Sequence, residues 1–325
     1  MPTIKDVAEK AGVSIATVSR VFNNRGYLSG AVKRKVADAM EALDYHPNDL
    51  ARSLQKRKSW LIGLIVPSTA HPFFGEIARY AEEAAYEKGY KVLLCNSLQN
   101  REKEQGYIKM LKRCQVDGII MGSHSLDTED YAGLHLSVVS LDRELSSSIP
   151  YVCCDNRQGG ELAAQHLIAR GCRDLVHISG SLAVPMLSNR RTEAFIAACK
   201  KARVPLHCYE LPDQAIVDFN IETEIQRIME NHPHCDGVFA TSDLSAAAVI
   251  GFAAKTGKKV PADMKVIGFD GILTGRFLNP PLTTIRQPIE SISRYAVEFL
   301  VRMMEGEKVP SKTVLPVELL ERESS

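Results

Sequence analysis

The chain has 325 residues, of which 45% are hydrophobic and 24% are charged, and its formal net charge at pH 7 is +1. This composition predicts a soluble protein of two or three compact units, and it contains no apolar run long enough to cross a bilayer, so we expect no membrane association. Residues 1–60 carry 11 Lys and Arg against 6 Asp and Glu, and a basic end of this kind is typical of a segment that contacts nucleic acid.

The stretch IKDVAEKAGVSIATVSRVF, residues 4–22, predicts two short helices joined by a tight turn. Ala8 is small enough for a close helix crossing, Gly12 suits a turn with positive φ, and Ser14 can cap the second helix. With its valines turned inward, the second helix presents Ile15, Ala16, Ser19 and Arg20 outward. A face of small side chains with one long basic residue can enter the major groove and contact bases.

A third helix is predicted after Ser29, and Pro47 ends this small helical head. Residues 47–59 then allow a short helix that Asn48 can cap, and they place the apolar Leu54 among basic residues such as Arg52. One interpretation is a basic interdomain linker. The alternative, which we favour, is a helix that lies in the minor groove, because an apolar wedge flanked by basic side chains suits that groove.

The motifs DVAEKAGVS and TVSRVFN resemble the amino-terminal domain of the lactose-repressor/galactose-repressor family of bacterial transcription regulators. The resemblance implies that Ile15, Ala16 and Arg20 contact bases, and that Leu54 belongs to a hinge helix and wedges between base steps, which bends the DNA. The residues that we expect to contact DNA are Ser14, Ile15, Ala16, Thr17, Ser19, Arg20, Asn23, Asn48, Arg52 and Leu54.

From residue 61 onward the pattern changes to apolar strands that alternate with amphipathic helices: LIGLIVP, YKVLLCN, VDGIIMG, LSVVSLD and YVCCD, then DLVHISG, LHCYEL, DGVFATS and MKVIGFD. So long a run predicts two doubly wound parallel α/β lobes. The predicted fold is α/β: a helix-turn-helix head (1–46), a hinge (47–59) and a clamshell (60–325). We assign residues 60–158 and 289–320 to lobe one and residues 159–288 to lobe two. This two-lobed arrangement resembles the type I sugar-binding proteins of the bacterial periplasm and the sensor half of the same regulator family.

Ligands of open parallel sheets bind beyond the carboxyl ends of the strands, and polar and aromatic residues cluster there in this sequence. The predicted ligand residues are His71, Phe73, Phe74, Asp142, Arg143, Asp155, Arg191, Ser242, Asp270 and Gln287. Aromatic faces, carboxylates, guanidinium groups and an amide together suit a polyhydroxylated ring. Most of these positions resemble those that hold sugar in ribose-type binding proteins, whereas His71 and Ser242 stand where that family usually has asparagine.

Structural roles compete for several of these residues. One of Phe73 and Phe74 can belong to the core, because a helix buries only one stripe of its surface. Asp155 can cap the following helix, and Asp142 and Arg143 can form a surface ion pair.

The predicted function is a sequence-specific transcriptional regulator, a repressor of a carbohydrate-utilisation operon controlled by a small sugar. An enzyme is disfavoured because the sequence has no GxxxxGK[ST] loop, no GxSxG elbow and no clustered metal ligands, so we expect no cofactor and no metal. Two alternatives within the family stay open: a global catabolite regulator that answers to a phosphorylated carrier protein, and a purine-type repressor that needs a corepressor.

We expect a homodimer on a near-palindromic operator, because the tail lacks the leucine heptads of a four-chain coil. The expected effector is a neutral sugar, since the predicted site has three carboxylates against two guanidinium groups. The terminus MPTIKDVAEK shows no signal peptide, which predicts a cytoplasmic, nucleoid-associated protein.

Overall fold

The computed structural model describes residues 2–22, 26–45, 58–132, 134, 136–217 and 220–325. The chain divides into two compact units, residues 1–59 and 60–325, and each is described by itself. No helix in the described residues is both long enough and apolar enough to span a membrane.

The first unit contains three helices, α1 (Ile4–Ala11), α2 (Ile15–Phe22) and α3 (Gly30–Ala42). Gly12 ends α1 with a φ of +65°, the left-handed conformation that glycine adopts without steric cost. The Oγ of Ser14 accepts a hydrogen bond of 3.1 Å from the amide of Thr17, and this contact caps α2 as predicted. A small core centred on the fully buried Val7, Val18 and Val36 holds the three helices together.

The first of two sheets in residues 60–325 is parallel and has six strands: β1 (Leu61–Val66), β2 (Lys91–Asn96), β3 (Gly118–Met121), β4 (Ser137–Leu141), β5 (Tyr151–Cys154) and β11 (Lys312–Leu315). Across the sheet, the strands lie in the order β11-β5-β4-β3-β1-β2. Its helices are α4 (Pro72–Glu87), α5 (Arg101–Arg113), α6 (Thr128–Ala132) and α12 (Ile289–Met304). The central strands are buried along nearly their whole length, because helices cover both faces of a parallel sheet.

The second sheet also has six strands: β6 (Leu175–Ser179), β7 (Leu206–Glu210), β8 (Gly237–Ala240), β9 (Lys265–Asp270), β10 (Thr283–Arg286) and β12 (Glu318–Leu320). They lie in the order β12-β10-β9-β8-β6-β7, and only β12 runs antiparallel to its neighbour. The accompanying helices are α7 (Asn156–Ala169), α8 (Asn189–Ala202), α9 (Asp213–Val217), α10 (Glu222–Glu230) and α11 (Asp243–Thr256), with a 3-10 turn at Leu273–Phe277. The predicted fold class, a helical head with two doubly wound α/β lobes, is confirmed.

The end of the chain departs from the predicted lobe boundaries. Residues 289–320 were assigned wholly to lobe one, but within them β11 belongs to the first sheet and β12 to the second. Pro316 separates the two strands, and a proline cannot donate to the ladder, which allows the chain to change sheets there. The short strand β10 was not predicted, since four residues between a loop and Pro288 carry too little alternation to recognise.

Candidate functional site

The second helix of the first unit presents the surface predicted to contact bases. Val18 is fully buried, whereas Ser14, Ala16 and Arg20 are exposed and Ile15 is 44% exposed. Thr17 and Ser19 are half-buried on either side of Val18. Ser14, Ile15, Ala16 and the long cation Arg20 therefore form an accessible face of the kind that a major groove accommodates.

The guanidinium of Arg20 lies against Gly26, where an added Cβ would stand 2.6 Å from its Nη2. The φ of Gly26 is +73°, so glycine both permits the backbone turn and leaves room for the arginine. The remaining predicted DNA contacts, at positions 23, 48, 52 and 54, lie outside the described residues.

The second unit has a cavity of about 220 Å³ beyond the carboxyl ends of strands in both sheets, which we call the first cavity. Its lining includes eight of the ten predicted ligand residues: His71, Phe73, Phe74, Asp142, Arg191, Ser242, Asp270 and Gln287. These residues follow strands β1, β4, β8, β9 and β10 or lie at the start of α8, so the sheet topology brings distant parts of the sequence to one place.

Two carboxylates in the first cavity have strained backbones. The φ of Asp142 is +58° and that of Asp270 is +114°, and residues other than glycine rarely adopt φ values in this range. Gln287 Nε2 donates to Oδ1 of Asp270 over 2.7 Å, and Asn156 Nδ2 donates to Oδ1 of Asp142 over 2.9 Å. Such strain of about 1–3 kcal/mol per residue persists where the surroundings enforce it, and it is concentrated at functional sites.

Burial governs the charge of these carboxyl groups. Desolvation raises the pKa of Asp142 above its usual value, and the guanidinium of Arg191 opposes that rise. Desolvation raises the pKa of Asp270 well above its usual value, the charge of Asp243 adds to the rise, and Arg191 again opposes it. A partner that donates hydrogen bonds therefore stabilises the ionised form of each of these carboxyl groups.

Arg191, on the first turn of α8, is buried and held from several sides. Its Nε donates to Oδ1 of Asn156 over 2.9 Å, and its Nη1 donates to the carbonyl of Thr241 over 3.1 Å. Its Cζ lies 3.7 Å from the ring centre of Phe269, and its Nη2 lies 3.9 Å from Oδ2 of Asp142. This guanidinium is consequently fixed in position before any ligand arrives.

The aromatic wall of the first cavity lies at the start of α4. The rings of Phe73 and Phe74 are 5.0 Å apart and nearly perpendicular, and both also pack against the core. His71 caps α4, because its Nδ1 accepts a bond of 3.3 Å from the amide of Phe73. Burial lowers the pKa of His71 to about 4, so this side of the cavity is uncharged at neutral pH.

The other two predicted ligand residues lie elsewhere. Arg143 is buried, and its Nη1 donates to the carbonyls of His124 (2.9 Å) and Leu126 (3.1 Å). Asp155 caps α7 by accepting from the amide of Gln158 over 2.9 Å. Among the described lining residues, the first cavity thus has two carboxylates and one guanidinium instead of the predicted three and two.

Several residues of this site are not among the ten predicted ligand residues, although Asn156 and Thr241 belong to the polar clusters that follow strands in the sequence. Asn156 joins Asp142 to Arg191, and Thr241 contributes a carbonyl to Arg191. Asn156 begins the helix that follows a buried strand, and this position in the sequence indicates a candidate site residue. Ser188 and Met186, from the loop before α8, also line the cavity but follow no recognisable pattern.

Two family models match the chain. Residues 3–48 match the model for bacterial regulatory proteins of the lacI family, and residues 164–325 match that for a periplasmic binding protein-like domain.

Similar proteins cover the chain from end to end. A ribose operon repressor of Halalkalibacterium halodurans is 38% identical over 330 residues, which span 100% of this chain and 97% of that protein. A sucrose operon repressor of Pediococcus pentosaceus is 41% identical over 321 residues, 98% of each chain. The crystal structure of the lac repressor dimer bound to operator and the anti-inducer ONPF has a TM-score of 0.87 and 26% identity, covering 99% of this chain and 98% of that one.

Proposed function

Because the chain belongs to the lacI family of bacterial regulatory proteins, we propose that it represses a carbohydrate-utilisation operon and that a small neutral sugar in the first cavity controls its affinity for operator DNA. It is a regulator and not an enzyme. The observation that carries the proposal is the lining of the first cavity, which combines aromatic faces, fixed carboxylates and a fixed guanidinium. A DNA-binding regulator acts where the chromosome lies, from which we infer a cytoplasmic, nucleoid-associated location.

The chemistry of the first cavity suits a sugar ring. The rings of Phe73 and Phe74 can cover the apolar C–H face of a pyranose or furanose. Asp142 and Asp270 can each accept from adjacent hydroxyls, while Arg191 can donate to ring or hydroxyl oxygens. The named relatives regulate ribose and sucrose operons, which supports a carbohydrate over a nucleobase.

The charge of the cavity favours a neutral sugar over a sugar phosphate. Asp142 and Asp270 outnumber Arg191, whose nitrogen atoms already bond to Asn156 and Thr241. When Asp142 and Asp270 are ionised, a phosphate dianion would meet net negative charge in a partly dry site, and unpaired like charges of this kind cost several kcal/mol. A neutral polyol meets no such penalty.

We further propose a homodimer that binds a near-palindromic operator, because two-fold proteins recognise two-fold sites. The edge strand β2 exposes Leu94 (48%), the following turn exposes Leu98 (43%), and the 3-10 turn exposes Phe277 (78%). The similar lac repressor is a dimer on its operator, and we propose that an interface between two copies of this chain covers these exposed side chains. Light scattering of the variant Phe277→Glu should show loss of dimer, and a wild-type protein that is monomeric on DNA would contradict the proposal.

Sugar binding would change operator affinity by shifting the protein between two states that differ in affinity for DNA. The test is fluorescence anisotropy of labelled operator, selected from random sequence by the full-length protein, with and without neutral sugars, their phosphates and purines. A neutral sugar should change operator affinity by tenfold or more, in the range of about 1–3 kcal/mol of coupling. A response only to a purine, or only in the presence of a phosphorylated carrier protein, would instead support one of the two alternatives.

A further inference from the structure

A second cavity of about 210 Å³ adjoins the first. Five residues line both cavities: His71, Ser188, Arg191, Thr241 and Ser242. The two cavities are therefore direct neighbours, and Arg191 stands at their boundary. Nothing in the role of the first cavity as a sugar-ring site uses this second space.

The volumes indicate a ligand larger than one ring. Pockets for small molecules usually measure about 300–1,000 Å³. Neither cavity reaches that range alone, at about 220 Å³ and about 210 Å³, whereas the two together do. A single pentose or hexose in the first cavity would leave the second without a ligand.

The second cavity differs chemically from the first. Its described lining is rich in hydroxyl groups, and it contains no carboxylate and no cation besides the shared Arg191. Asn189 Nδ2 donates to the carbonyls of Leu182 and Val184, which leaves its Oδ1 as an acceptor. Ile216 and Leu244 supply an apolar wall. Hydroxyls, one amide acceptor and an aliphatic wall suit an uncharged ring that is held less tightly than the ring in the first cavity.

From this juxtaposition we infer that the effector is a neutral disaccharide, with one ring in the first cavity and the other in the second, so that the glycosidic linkage lies beside Arg191. The inference rests on the proposed sugar-regulated function and specifies its ligand. The first ring provides most of the binding through Asp142 and Asp270, and the second cavity selects for the additional ring.

The backbone at Gly180 provides a direct test. A Cβ added there would meet only Cδ1 of Ile216, at 3.4 Å, and Gly180 is not among the residues with positive φ. Gly180→Leu should therefore fill the second cavity without backbone strain, and Ser181→Phe should do so from the adjacent position. Gly106→Leu, on the exposed face of α5 with nothing within 4 Å of the added Cβ, is the matched control.

The experiment is titration calorimetry of the full-length protein with ribose, glucose and fructose, with sucrose and cellobiose, and with ribose 5-phosphate and sucrose 6-phosphate. We expect one of the disaccharides to bind at least tenfold more tightly than either of its component monosaccharides. Gly180→Leu and Ser181→Phe should each reduce that ratio below threefold, and Gly106→Leu should retain it.

Three outcomes would overturn the inference: a monosaccharide that binds as tightly as the better disaccharide, a disaccharide preference that survives both cavity-filling variants, or a phosphorylated sugar that binds where its neutral parent does not. The first two would leave the sugar-regulated function in place, because a neutral sugar would still bind. Binding of no sugar in any form, or of the phosphorylated form alone, would also remove the proposed neutral effector.

Discussion

Arg191 and Asn156 are joined by a hydrogen bond of 2.9 Å from the guanidinium Nε to the amide Oδ1, although 35 residues separate them in the chain. The amide of Asn156 also donates to Asp142, so one side chain positions both a cation and a carboxylate of the first cavity. The amide thus fixes the orientation of both partners of the Arg191–Asp142 ion pair, whose Nη2 and Oδ2 atoms are 3.9 Å apart.

Replacing Asn156 should therefore weaken sugar binding although Asn156 itself does not line the first cavity. Asn156→Ala removes the acceptor of Arg191 and the donor to Asp142, and we expect calorimetry to show a loss of at least tenfold in sugar affinity. Asn156→Asp keeps an acceptor for Arg191 but places a second negative charge beside Asp142, which favours protonation of Asp142. The sugar affinity of this variant should therefore be lower than that of Asn156→Ala. Wild-type affinity in both variants would exclude a positioning role.

The pH dependence of sugar binding should follow the buried carboxyls. Burial raises the pKa of both Asp142 and Asp270, so lowering the pH protonates them and removes acceptors for sugar hydroxyls. Sugar affinity, measured by calorimetry, should accordingly decrease as the pH is lowered through the neutral range into the acidic range. Asp270→Asn should bind weakly with a reduced pH dependence while the sugar-free protein still binds operator. A wild-type affinity that is constant over this range would contradict the assignment.

Asp243 should make stability depend on pH. It is buried beside the first cavity, where its Oδ1 accepts from Thr284 Oγ1 over 2.5 Å and its Oδ2 accepts from the amide of Ile272 over 2.9 Å. Burial raises its pKa to about 7, against about 3.9 in an unfolded chain. A raised pKa means that the folded state binds the proton more tightly. The resulting stabilisation is complete below about pH 4 and is lost as the pH rises through about 7.

Asp243→Asn tests this prediction, because an amide can accept from Ile272 and donate to Thr284 without ionising. Urea denaturation should show that the free energy of unfolding of the wild type decreases from about pH 4 to about pH 7 relative to the variant. Asp127→Asn changes an exposed carboxylate in the same unit and serves as the control. Parallel pH profiles for wild type and Asp243→Asn would refute the prediction.

Arg20→Ala should reduce discrimination between operator and unrelated DNA by about 1–3 kcal/mol, the usual cost of a lost base contact. Arg57→Ala, in the basic stretch of the sequence before the second unit, should instead weaken binding to all DNA about equally and flatten its salt dependence. Anisotropy titrations on operator and scrambled duplexes, each at several salt concentrations, separate the two effects. Equal losses on both duplexes for Arg20→Ala would argue against base contact.

Leu54→Ala should reduce DNA bending and specific affinity without changing sugar affinity, if Leu54 is a minor-groove wedge as the family resemblance implies. Energy transfer between dyes at the two ends of an operator duplex measures the bend directly. An unchanged bend would indicate that residues 47–59 are an interdomain linker and not a hinge helix.

Local patterns were sufficient to predict most of the helices and strands of this protein, although strand β10 was not predicted. Gly12 and Ser14 specify the turn and cap of the DNA-contacting helix through their own backbone and side-chain chemistry, and strand-helix alternation specifies two parallel sheets. Asp142 follows a strand of the first sheet and Asp270 ends a strand of the second. Because ligands of open parallel sheets bind beyond the carboxyl ends of the strands, the predicted two-lobed clamshell also placed both residues in one cleft.

Tertiary contacts decided what each of those residues does. Arg143 follows a strand just as Asp142 does, yet its guanidinium turns to two carbonyls, because the direction of a side chain depends on neighbours that are distant in sequence. The bridge made by Asn156 required α8 to bring Arg191 within 2.9 Å. The change of sheet at Pro316 and the second cavity likewise arise from elements whose sequences carry no signal of each other. Periodicity is a local property, whereas the partners of a polar side chain are set by packing between elements.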